Sequence, residues 1–87
     1  MLMDRKIFTL SLSVEATSAY ILVCTFAEGG APATVESLGP FWNGPPQSLP
    51  SALTELQSRG IIEEILDDGL VRRYFPNPAK YWRPPSE

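Results

Sequence analysis

The chain has 87 residues, 44% of them hydrophobic, with ten acidic against seven basic side chains for a net charge of −3. That suffices for one small globular domain with a single core and is too little for a core plus a deep cofactor cleft. The absence of histidine and the single cysteine exclude imidazole chemistry and an intrachain disulfide, and no apolar run approaches the ~20 residues of a membrane-spanning helix.

Residues 1–13 lack the long apolar segment and small-residue cleavage site of a signal peptide, so the expected compartment is the cytoplasm. Within residues 1–12, Phe8, Leu10 and Leu12 alternate with Ile7, Thr9 and Ser11, the pattern of a half-buried strand or arm. Such a strand pairs either within the domain or, as an open edge, with a second copy of the chain. Ser13 is placed to cap a first helix, with Leu12 before it as a hydrophobic staple and Glu15 in the first turn, where a negative charge favours the helix dipole. Ala16, Tyr20, Val23 and Ala27 form one face of this helix and Ala19, Leu22 and Phe26 widen it, while Gly29-Gly30 ends it. Cys24 lies in its apolar run and reads as a buried core thiol.

Ala31-Pro32-Ala33 is a short extended link. Thr34 caps a second helix over Val35-Glu36-Ser37-Leu38, stopped by Gly39-Pro40. Phe41-Trp42-Asn43-Gly44-Pro45-Pro46 is a rigid turn whose two aromatics either fill the gap between the second and third helices or mark an interface. The third helix spans 47–59. Leu49, Ala52, Leu53 and Leu56 make its apolar face and Gln47, Ser51, Thr54 and Ser58 its polar face, with Pro50 in the first turn and Gly60 as the left-handed stop. Ile61 and Ile62 begin a strand, Asp68-Gly69 suits a two-residue hairpin turn, and residues 70–75 return. A two-residue turn sets Ile62 opposite Phe75, Glu64 opposite Arg73 as an ion pair, and Leu66 opposite Val71. Asn77-Pro78 breaks the strand, Ala79 to Trp82 pack back on the domain or join a dimer contact, and 83–87 form a short tail.

No glycine-rich phosphate loop, nucleophile elbow or carboxylate pair with a companion base is present, so neither an enzyme nor a cofactor or metal site is expected. Asp67-Asp68-Gly69 lacks the alternating acids of a calcium loop and reads as a turn.

These elements make one α+β domain of three helices, a C-terminal hairpin and an N-terminal strand. Their order resembles that of small bacterial winged helix-turn-helix transcriptional regulators over most of residues 14–82. The likeness is carried by Tyr20-Ile-Leu-Val-Cys-Thr-Phe-Ala-Glu-Gly29, by Ala52-Leu-Thr-Glu-Leu-Gln-Ser-Arg-Gly60-Ile-Ile-Glu63, and by Asp68-Gly-Leu-Val-Arg-Arg-Tyr74 with Asn77-Pro-Ala-Lys-Tyr81. The resemblance implies a winged helix that binds double-stranded DNA, acting as a dimer. Its recognition helix would present Gln47, Ser48, Ser51 and Thr54 to base edges, and its wing Arg72 and Arg73 to phosphate. Arg5, Lys6, Lys80 and Arg83 would extend the phosphate footprint. Charge supports an alternative. From Ile7 to Ser58 there is no Lys or Arg, and Glu15, Glu28, Glu36 and Glu55 fall in that span. A winged helix used as a protein-interaction module, anchored by Phe41, Trp42, Tyr81 or Trp82, accounts for this acidity.

Overall fold

The computed structural model describes residues 7, 8, 12–67 and 71–83. Among them, three helices, α1 (Val14–Glu28), α2 (Val35–Leu38) and α3 (Ser48–Ser58), precede a hairpin of β1 (Ile62–Asp67) and β2 (Val71–Pro76). Single turns of 3-10 helix follow α2 at Gly39–Phe41 and follow β2 at Ala79–Tyr81.

Local chemistry sets the helix ends. The Ser13 hydroxyl accepts from the Ala16 N–H at 3.0 Å and so caps α1. At α2, Thr34 and Ser37 form a reciprocal capping box, and the Ser37 hydroxyl also donates to the Pro32 carbonyl at 2.8 Å. Gly30 and Gly60 follow the two long helices in the left-handed region, with φ of 77° and 70°. Between these ends, Ala16, Ala19, Tyr20, Val23 and Cys24 of α1 meet Leu49, Ala52, Leu53 and Leu56 of α3, with Leu38, Ile61, Ile62 and Tyr74 closing the core. Each fully buried leucine contributes about 1.5–3 kcal/mol, so the α1–α3 seam is the main source of stability.

Two expectations are corrected. Ile7 and Phe8 form 3-10 turn, not strand, and the remainder of that stretch before Leu12 lies outside the described residues, as do Arg5 and Lys6. Ile7 is inserted in the core at 1% exposure, whereas Phe8 is 59% exposed, the reverse of the expected alternation. In the hairpin, Ile62 pairs with Pro76, Glu64 with Tyr74 and Asp67 with Val71, so three residues, 68–70, join the strands instead of two. The shift has a cause. Ile62 and Tyr74 are both buried, and only this register puts them on one face; the tighter turn would turn Tyr74 to the opposite face. The ion pair moves with it, from Glu64–Arg73 to Glu64–Arg72 across the diagonal at 3.0 Å.

On its other edge β2 meets the link before α2, the Tyr74 N–H donating to the Ala33 carbonyl at 2.9 Å. N–H groups along a strand alternate in direction, so residue 76 also points to this outer edge, where Pro76 costs no ladder bond with β1.

Gly60 and Gly30 differ in surroundings. A Cβ on Gly60 would stand 2.6 Å from the Tyr81 carbonyl oxygen, while one on Gly30 would meet nothing within 4 Å. Gly30→Ala is expected to cost about 1 kcal/mol, the left-handed penalty alone. Gly60→Ala adds the clash and is expected to cost at least about 1 kcal/mol more. Urea denaturation of both variants checks the order; equal losses would contradict the close approach.

Candidate interaction surface

The turn between α2 and α3 is held by its own polar atoms. Trp42 Nε1 donates to the Ser48 hydroxyl at 2.9 Å and to the Pro45 carbonyl at 3.2 Å, and the Ser48 hydroxyl donates to the same carbonyl at 2.7 Å. Trp42 is thereby fixed, partly buried against the core, as the first aromatic of α3's entry. Its neighbour is thrown outward. Phe41 is 65% exposed and meets the Phe26 ring edge-on at 5.6 Å. Facing it across a groove of about 330 Å³ stand Val14, Glu15, Ser18 and Leu22 of α1, with Trp42 in the wall. Val14 is 78% exposed.

The polar face of α3 lies beside this groove. Gln47, Ser51 and Thr54 are exposed, whereas the Ser48 hydroxyl, expected among the base-facing groups, is spent inside the aromatic turn. One flank of that face is acidic. Glu55 accepts from the Ser13 hydroxyl at 2.8 Å, and Glu15 shares a recess with Gln47, Ser51 and Glu55. The other flank carries a relay in which Gln57 Nε2 donates to Glu64 at 2.9 Å and Arg72 pairs with the same carboxylate.

The described cations are engaged away from Gln47, Ser51 and Thr54. Arg73 lies over the Phe75 ring at 5.4 Å and Lys80 over the Tyr81 ring at 5.3 Å. Arg83 reaches the carbonyls of Ser58 (3.2 Å) and Gln57 (3.3 Å), capping the C-terminus of α3, where a positive charge favours the helix dipole. Arg59 donates to the Arg83 carbonyl at 3.0 Å. Of the terminal aromatics, Tyr81 is exposed, while Trp82 is partly buried, edge-on to Tyr20 at 5.7 Å and donating to the Asn77 carbonyl at 3.0 Å.

Val14, Ser18, Leu22 and Phe26 had no place in the sequence-based list of interface residues. The available signal was α1 itself: Val14 and Ile21 are apolar positions outside the face assigned to the core, so the helix carries apolar residues around its circumference.

No helix among the described residues is long and apolar enough to cross a membrane, and no three of their His, Cys, Asp or Glu side chains are grouped to hold a metal ion. No family model matches this chain, and neither a curated protein nor a solved structure is significantly similar to it.

Cys24 sits in the α1 core, where burial pushes its thiol from 9.0 up to about 11. Burial likewise raises the Tyr74 phenol. Both groups keep their protons more firmly in the folded state. The contribution of Cys24 to stability is therefore complete below the unfolded thiol value of 9.0 and is lost as pH rises through about 11. The urea midpoint is expected to fall above pH 9, less steeply in Cys24→Ala. The native thiol should resist Ellman's reagent at neutral pH, and rapid labelling of the folded protein would refute its burial.

Proposed function

We propose that this chain is a protein-interaction module of winged-helix layout that docks a partner in the groove between α1 and the aromatic turn. The observation that carries the reading is the exposed apolar pair Val14 and Phe41 on either side of a groove also lined by Leu22 and Trp42. Large apolar side chains exposed next to one another on a rigid scaffold are the usual core of a protein interface. Phe41 is held by neighbours already fixed in place, Trp42 by two polar atoms and Phe26 by α1, so little ordering remains to oppose binding.

The winged-helix layout is supported by three helices leading into a hairpin, with the Ala33 carbonyl accepting one hydrogen bond at the outer edge of β2. In such a layout α3 would be the recognition helix and the hairpin the wing. One observation favours DNA as a second reading: Arg72, 68% exposed, stands on the hairpin flank of α3 through Glu64 and Gln57. Against it, Gln47, Ser51 and Thr54 have carboxylates on their other flank, and binding to duplex DNA draws most of its free energy from neutralised phosphates.

The two readings separate in one pair of measurements. The interaction module is expected to leave duplex DNA unshifted at micromolar protein in low salt, and to capture a discrete partner from its host's extract. Phe41→Ser should abolish that capture with an unchanged melting temperature, whereas Ser51→Ala and Thr54→Ala should leave it intact. A salt-steep DNA shift weakened by Arg72→Ala and untouched by Phe41→Ser would establish the second reading instead.

A further inference from the structure

We infer that the occupant of the α1 groove is a short amphipathic helix carrying Lys or Arg beside its apolar stripe, and not a second copy of this chain; the inference rests on the groove being a protein-docking face. Its dimensions suit a helix. Val14, Ser18, Leu22 and Phe26 follow one another at steps of four along α1, and the twelve residue-to-residue steps from first to last span ~18 Å, about three helical turns. Large side chains (Val14, Leu22, Phe26) border small ones (Ser18, Thr25), so ridges on a partner helix have depressions to enter. Thr25 turns its hydroxyl back to the Ile21 carbonyl at 2.8 Å and asks for no polar partner from outside. Phe41 walls the far side and meets the Phe26 ring at one end, so the groove runs along α1 from Val14 to Leu22. This is the geometry in which a helix docks by residues at i, i+3, i+4 and i+7.

Charge selects the occupant. Glu15 lines the groove, Glu55 stands beside it, and Glu28 is exposed at the far end of α1. The span from Ile7 to Ser58, which builds the groove, contains no Lys or Arg. A second copy docked by the same face would bring an identical set of carboxylates against these, parallel or antiparallel, with no cation among the described residues of either surface to separate them. A helix with bases flanking its apolar stripe meets the same carboxylates favourably. The basic side chains of this chain do not serve, because those described lie on or after Arg59, engaged with the hairpin, the tail and the end of α3.

The test uses the full chain and two fluorescein-labelled synthetic helices, each about four turns long with leucines at i, i+3, i+4 and i+7, one with lysine at the remaining positions and one with glutamate. Fluorescence anisotropy should show the Leu/Lys helix binding and the Leu/Glu helix not. Phe41→Ser and, independently, Val14→Ser should each weaken the Leu/Lys helix by about tenfold or more. Both side chains are exposed, so the fold is expected to persist, and circular dichroism verifies it. Glu15→Lys should weaken the Leu/Lys helix by about tenfold, whereas Glu63→Lys, the same charge change on the hairpin, should alter it by less than about twofold. Six results overturn the inference. Equal binding of the Leu/Glu helix, sensitive to Phe41→Ser, would keep the docking groove and discard the basic partner. Equal weakening by Glu63→Lys would reduce the effect to net charge. Binding by neither helix, or binding indifferent to both Phe41→Ser and Val14→Ser, would remove the helix as occupant, and capture unaffected by Phe41→Ser would remove the groove itself. Sedimentation showing a dimer dissociated by Phe41→Ser would make a second copy the occupant.

Discussion

The crossing of the C-terminal segment over Gly60 is the contact on which the placement of α3 and the hairpin depends. At this point the chain leaves α3, turns through a left-handed residue and begins β1, with the Tyr81 carbonyl packed where any Cβ would stand. Asn77 locks the crossing with both its groups, its backbone N–H donating to the Ile61 carbonyl at 2.8 Å and its side chain to the Gly60 carbonyl at 3.0 Å. The Arg83 N–H donates to the Arg59 carbonyl at 2.6 Å, and its guanidinium takes up helix-end carbonyls that would otherwise be left to solvent. The tail is thus a strap across the helix–hairpin junction, and Arg59 and Arg83 are structural cations before they are anything else.

That strap explains how the domain reconciles a conventional core with an unconventional surface. With α3 and the hairpin fixed on one side of α1, Val14, Leu22 and Phe26 face the aromatic turn on another. Helices that are apolar around their circumference are normally enclosed. Here Tyr20, Val23 and Ala16 are enclosed while Val14 stands in solvent and Leu22 and Phe26 are half covered. Covering what remains would be favourable by about 25 cal/mol per Å² of apolar surface removed from water, while the core beneath is already complete.

Much of this was legible from residue order. Ser13, Thr34, Gly30 and Gly60 mark helix ends by chemistry confined to a few neighbours, and the leucines of α3 announce their buried face by spacing alone. The hairpin register was not legible, because Asp68-Gly69 suits a tight turn locally while the joint burial of Ile62 and Tyr74 is decided by the rest of the fold. The segment around Ile7 failed for a related reason: alternation over six residues does not distinguish a strand from a turn that drops one large side chain into a core gap. The placement of the two aromatics was half legible. Phe41 and Trp42 are adjacent and chemically alike, yet the indole N–H finds Ser48 and Pro45 and draws Trp42 inward, whereas Phe41 has no polar atom to hold it there.

Electrostatics then turns on what approaches α3 and α1. Two opposite charges at 4 Å in water attract by about 1 kcal/mol, and two like charges repel by as much. Glu15 and Glu55 lie beside Gln47 and Ser51, so a phosphate backbone laid along α3 would meet repulsion at the end where base edges are read and attraction only near Arg72. Ser51 and Thr54 offer hydrogen bonds to either kind of partner and do not decide the matter. The carboxylates do: they tax every phosphate that approaches and favour every lysine or arginine, at no cost to the core beneath them. The face of α3 that carries Gln47 and Ser51 is therefore electrostatically more favourable to a basic partner than to a phosphate backbone.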